Sequence, residues 1–201
     1  MTSIRTLLGR AEYMTSVHTA RQLPPDTGIE VAIAGRSNCG KSSLINKICR
    51  RKGLARASRT PGRTRQLVFF ELDEDRRLVD LPGYGFAAVS RDMKIHWEKL
   101  IQGYLERREA LAGLVLVMDI RHPLKDMDRQ LAEFMLARGL PLHVVLTKAD
   151  KLGHGKRVET LQRVKRDLGG VAAVQAFSSV SGLGADELQS ALGNWLRAPV
   201  D

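Results

Sequence analysis

Cysteine is scarce: Cys39 and Cys49 are the two in 201 residues, and they show no metal-ligand spacing. Two free thiols support a cytoplasmic reading. No apolar run approaches the roughly 18 residues needed to cross a membrane. The opening stretch MTSIRTLLGRAEYMTS has no compact apolar core followed by a small-residue cleavage site, so no secretory signal is read there. Acidic side chains are absent from RRKGLARASRTPGRTR, residues 50–65, where every charged residue is basic. Aromatic residues are absent there too, which favours phosphate contacts over stacking on single-stranded bases.

What is present describes a globular chain with an anionic partner. The hydrophobic fraction is 43%, enough for one ordinary domain with a core. The formal net charge is +10, which points to nucleic acid first. Residues 1–28 read as an N-terminal extension ending in the turn-prone QLPPDTG, and residues 29–201 as the nucleotide-binding domain. Beyond it, predicted strands cover 30–34, 66–72, 77–80, 113–119, 143–147 and 171–177. Predicted helices cover 41–50, 92–108, 126–138, 157–168 and 185–196. Apolar runs such as LVLVMDI and LHVVLT suit strands covered on both faces. The expectation is a single α/β domain, a mostly parallel central sheet with helices on both faces.

The stretch GRSNCGKSS follows the apolar EVAIA and matches G-x-x-x-x-G-K-[ST]. Gly35 and Gly40 let the backbone wrap phosphate oxygens, and the N–H groups of Arg36, Ser37, Asn38 and Cys39 lie in the loop that would cradle them. A helix starting near Gly40 adds its positive end. Lys41 would reach the β and γ phosphates, the Ser42 hydroxyl would ligate Mg²⁺, and Ser43 completes the loop.

The base follows from LHVVLTKAD. Asp150 can accept from the adjacent N1–H and amino group of guanine, whereas adenine would leave that carboxylate unpaired, a discrimination of roughly 10⁴. Lys148 would lay its stem along the base, and Thr147 stands where N-K-x-D sequences have asparagine; Ala149 completes the segment. Backbone N–H groups around Ser178 and Ser179, after Phe177, are candidates for the guanine oxygen.

RLVDLPGYG leads from a strand into a glycine-bearing loop. Asp80 is placed for the Mg²⁺ shell, and the Gly83 N–H for the γ phosphate. Release of that phosphate would free the loop, an order–disorder switch. Thr64 is the choice for a second hydroxyl on Mg²⁺, with Thr60 its competitor. Tyr84 stands where Ras-like GTPases carry a water-orienting glutamine, so intrinsic hydrolysis is expected to be slow. Asn38 is a candidate K⁺ ligand beside the phosphates. In MDIRHPLKDMD, Arg121, His122 and Lys125 read either as a partner surface or as a loop before a helix with Asp126 near its start.

Together GRSNCGKSSLIN, TPGRT, RLVDLPGYGFAAVS, GLVLVMDIRHPLKDMD, LTKADKL and FSSVSG resemble the EngB (YihA/YsxC) family of bacterial ribosome-assembly GTPases, over about residues 23–195. The resemblance implies a Ras-like P-loop fold, a cytoplasmic location, and binding of GTP and GDP with Mg²⁺. It also implies a role in assembly of the large ribosomal subunit and in cell division and septation. The expected partner is that subunit or its precursor, with no membrane, for a monomeric protein. Carried over by position, the Mg²⁺ ligands are Ser42 and Thr64. The other contacts are the loop from Gly35 to Ser43, then Gly62, Arg63, Thr64, Arg65 and Gln66, Asp80, Leu81, Pro82 and Gly83, and the two base-reading segments. Lys41, Asn38, Thr64 and Gly83 are the expected catalytic set. The family reads TPGRTQ where this chain has TPGRTRQ, with Arg65 before Gln66. The residues leave two other classes open: a P-loop small-molecule kinase, and an RNA-binding module whose nucleotide is structural.

Overall fold

A computed structural model describes residues 2–56, 66–85 and 91–198, with the side chains of 91–98 excepted. The expectations placed on Thr60, Pro61, Gly62, Arg63, Thr64 and Arg65 lie outside the described residues.

Among the described residues seven strands form one sheet: β1 (Glu12–Val17), β2 (Ile29–Gly35), β3 (Leu67–Glu71), β4 (Arg76–Asp80), β5 (Leu111–Asp119), β6 (Leu142–Thr147) and β7 (Ala173–Ala176). Their order is β1-β3-β4-β2-β5-β6-β7. The β4, β2, β5, β6 and β7 strands run parallel, while β3 is antiparallel to both β4 and β1. Buried runs such as IEVAIAG and LHVVLT fill the centre, as strands covered on both faces require.

Among the described residues six α-helices cover the two faces: α1 (Ile4–Gly9), α2 (Lys41–Ile48), α3 (Arg91–Arg107), α4 (Asp126–Ala137), α5 (His154–Asp167) and α6 (Ala185–Trp195). Leu44, Ile45 and Ile48 of α2 and Leu188 and Leu192 of α6 pack with Val31, Ile33 and Val145 on one face. Tyr104 of α3, Met135 of α4 and Val164 of α5 pack with Ala32, Leu114 and Val144 on the other. Among the described residues no helix is long and apolar enough to cross a membrane.

Two elements have no counterpart among the expected ones. Residues 4–17, read as extension, contain α1 and β1, and Ile4, Leu7 and Leu8 are fully buried in the α2–α6 core. Ser3 opens α1, its Oγ accepting from the Thr6 N–H at 3.3 Å. QLPPDTG is likewise tied down. The guanidinium of Arg108 donates to Pro24 O at 2.8 Å and Pro25 O at 3.0 Å, and to the buried Glu30 carboxylate at 2.6 Å. Asp26 accepts from the N–H groups of Glu109 and Ala110 at 3.1 and 2.9 Å. The turn therefore braces the entry of β2 against the exit of α3.

Candidate functional site

The site lies beyond the carboxyl ends of β2, β4 and β6, where open α/β sheets place ligands. β2 ends at Gly35, and α2 starts at Lys41. Asn38 (φ +60°) and Gly40 (φ +100°) are both left-handed. Asparagine tolerates that conformation, and such an alternation curls N–H groups into an anion-binding concavity. Gly40 is required twice over: a Cβ there would also lie 3.3 Å from the Thr147 hydroxyl. The first turn of α2 carries no acidic residue, so its positive end stays uncompensated. These residues open onto a cavity of about 290 Å³, shared with Gln66 and Asp80 to Gly83.

Lys41 Nζ pairs with the Asp80 carboxylate inside that cavity. Ser42 lines it as well, so a hydroxyl and a carboxylate, both hard oxygen donors, face the space where phosphates would sit. The phosphate cradle and this donor set fit a Mg²⁺–nucleotide.

The loop after β4 runs on beside the phosphate loop. Leu81 N–H donates to Ile33 O at 2.9 Å, and Ser37 N–H donates to Tyr84 O at 2.9 Å. A Cβ on Gly83 would stand 3.2 Å from the Ser37 backbone, so glycine lets the two loops touch. Tyr84 turns away from the phosphates. Its ring is buried, and its hydroxyl donates to Asp128 Oδ1 of α4 at 2.7 Å. Burial, with Asp128 beside it, pushes the phenol well above its ordinary pKa. The side chain in the glutamine's place is thus spent on joining the loop to α4.

The segments expected to read the base are cross-braced. Lys148, left-handed at φ +58°, donates from Nζ to Asn38 O at 2.7 Å and pairs with Asp119 Oδ2 at 2.9 Å. Thr147 is buried, and its hydroxyl meets the carbonyls of Cys39 and Met118, holding the phosphate loop to β5. Ser178 Oγ donates to Asp150 Oδ1 at 2.7 Å, and Lys151 Nζ stands 3.2 Å from Oδ2. The Ser178 bond, then Lys151, holds the Asp150 carboxyl below its usual range. Ala149 N–H donates to Phe177 O at 3.1 Å, which locks the two segments together.

The structure thus sorts the expected contacts. Phe177 is core, and the Ser178 N–H donates to Leu183 O at 3.0 Å. Within FSS, the N–H of Ser179 makes no bond among the described residues. Cys39 is buried, its thiol pushed up to about 11 by desolvation, and it faces the interior. Two contributors were not read from the sequence. Asp119 gathers Lys148 and Arg121; burial works against its ionisation, but those bonds hold its carboxyl well below the carboxylate range. Asp128 serves α4: its Oδ2 accepts from Lys125 N–H at 2.9 Å, the capping role considered for Asp126. A carboxylate three residues into a helix is a legible cap signal; its bond to Tyr84 spans 44 residues and is not.

A phosphate cradle at a helix start, a strand-end aspartate on the phosphate-loop lysine and a braced TKAD segment, all on the parallel strands of one mixed sheet, define a P-loop GTPase. The family described as 50S ribosome-binding GTPase matches residues 30–148. A protein of Xanthomonas campestris pv. campestris, described as "Probable GTP-binding protein EngB", is 54% identical over 199 residues, 97% of this chain and 96% of its own. Its counterpart in Stenotrophomonas maltophilia is 53% identical over 194 residues, covering 94% of this chain and 97% of its own. The chain belongs to the EngB family of GTP-binding proteins. Among solved structures, an EngB crystal structure superposes with TM-score 0.68 at 21% identity, covering 84% of this chain and 98% of that one. Era bound to MgGDPNP and a 16S ribosomal RNA fragment gives 0.66 at 22% identity, covering 84% and 57%. These likenesses carry the fold.

Proposed function

We propose that this GTPase is a guanine-nucleotide switch acting in assembly of the large ribosomal subunit, in the cytoplasm, as a monomer. The observation that carries it is the tie between the two ends of the site. Lys148 grips the Asn38 carbonyl, so the loop that would feel the phosphates and the segment that would read the base form one body. The family to which the chain belongs is described by ribosome binding, and a net charge of +10 suits an RNA-rich particle.

Ser42 and Asp80 would hold Mg²⁺ on the described side of the site, with Thr64 as the further ligand. The ion would neutralise phosphate charge. Lys41 would leave Asp80 for the phosphates, and the Gly83 N–H would hold the γ phosphate. Asp150, oriented by Ser178 and Lys151, would accept from guanine, with the Ser179 N–H toward the guanine oxygen. Hydrolysis is slow because Tyr84 is held by Asp128 and orients no water. Asn38, whose side chain makes no bond among the described residues, would help hold K⁺ there, so hydrolysis should be faster in K⁺ than in Na⁺. Failure of the switch would stall subunit assembly and, through it, cell division and septation.

The test is co-sedimentation with large subunits and their precursors, with a non-hydrolysable GTP analogue, GDP or no nucleotide. Binding that is strong with the analogue and weak with GDP supports the switch. Equal binding in all three states would make the nucleotide a structural element.

A further inference from the structure

A second cleft, of about 640 Å³, opens between β1 and the turn that follows α2. Val68 and Phe70 of β3 line it on the sheet side, and Asp80, Gln66 and Arg56 border both it and the phosphate cavity. Tyr13 lines it with 61% of its surface exposed. The Tyr13 hydroxyl donates to Ser16 Oγ at 3.1 Å, which fixes the ring along the strand without covering it.

Both acids that line the cleft are paired. Glu12 stands 3.4 Å from the guanidinium of Arg51, and Asp80 is taken by Lys41. Lys52 and Arg56 are exposed and pair with no acid among the described residues. Between them Gly53, at φ +76°, would have nothing within 4 Å of a Cβ, so the turn's backbone is open to approach. A fixed exposed aromatic flanked by unpaired cations is the chemistry that holds single-stranded nucleic acid: stacking for the base, point charges for the phosphates. Residues 51–56 line the cleft without an aromatic of their own; β1 supplies one.

We propose that this cleft binds an unpaired nucleotide of RNA, its base stacked on Tyr13 and its phosphates held by Lys52 and Arg56. The inference rests on the reading of the protein as a factor for ribosomal particles, and it names where RNA enters. Because Arg56, Gln66 and Asp80 border both cavities, the occupant lies against the wall of the nucleotide site and can sense its state.

Fluorescence anisotropy with a short labelled single-stranded RNA, and with its duplex, tests this on the full chain. Tyr13→Ala should weaken single-strand binding about 5- to 150-fold, the range of a lost base stack, while Tyr13→Phe retains it. Lys52→Ala should weaken it with a shallower salt dependence. Guanine-nucleotide affinity, measured on the same preparations, controls for folding and should match wild type in both Tyr13 variants. Single-strand affinity indifferent to Tyr13→Ala, or duplex bound as tightly as single strand, would overturn the site. Co-sedimentation with large subunits separates the two claims. GTP-dependent subunit binding unmoved by Tyr13→Ala would sink this cleft and leave the switch standing. Subunit binding lost in Tyr13→Ala without any single-strand affinity would point to a protein partner and also overturn it. RNA binding through Tyr13 with no subunit binding would keep the cleft and remove the switch.

Discussion

Tyr84 shows how one side chain divides structural from chemical work. Its hydroxyl is committed to Asp128, whose other oxygen caps α4. Tyr84→Phe keeps the ring but leaves a buried carboxylate short of a donor, a cost of about 1–3 kcal/mol. Urea unfolding should show that loss, while GTP turnover stays near wild type because the phenol does not face the phosphates. A large fall in turnover with unchanged stability would return the phenol to the chemistry. His143 carries a second residue-scale expectation. It is buried with Nε2 2.7 Å from Gln175 Oε1, and desolvation lowers its pKa. The folded pKa lies below the unfolded value near 6.5, so the unfolded chain takes up the proton first. Stability is therefore full above about pH 7 and falls with acidification from there toward the depressed value. His143→Gln should flatten that part of the pH profile; an unchanged slope would place the titration elsewhere. Much of the candidate site was legible at this scale, because GRSNCGKSS and TKAD have spacings set by phosphate and base geometry. The Tyr84–Asp128 and Lys148–Asp119 pairs were not, since they are made only when distant strands and helices meet.

At the scale of elements, the central strands and five helices were readable because buried strands and amphipathic helices impose different periods. The missed pieces lacked that contrast. The β1 strand, EYMTSV, is an edge strand exposed over its first half and breaks register between Tyr13 and Thr15, so it shows no alternation. The α1 helix has six residues, but Ile4, Leu7 and Leu8 at i, i+3 and i+4 behind Ser3 were a usable signal. Leu8→Ala should cost about 2–5 kcal/mol, as for a fully buried core leucine. Thermal or urea unfolding of that variant checks it. A cost near zero would mean that residues 4–17 merely lie on the domain.

At the scale of the molecule, the sheet sets the function's geometry. Parallel strands bring the phosphate loop, Asp80 and TKAD to one edge, and Lys148 bridges them over 110 residues of chain. The antiparallel β1 and β3 carry Tyr13 and one wall of the cleft beside the basic turn that follows α2. A GTPase so arranged places its charged surface next to its nucleotide site, as the proposed role on a ribosomal particle requires. All of this depends on the site reading guanine through Asp150. The most direct test is the affinity of the nucleotide-free protein for GTP, GDP and ATP with Mg²⁺, in wild type and in Asp150→Asn. Tight guanine-nucleotide binding with ATP weaker by roughly 10⁴, and collapse of that preference in the variant, is the predicted result. ATP bound as well as GTP, or a preference unchanged by Asp150→Asn, would contradict it.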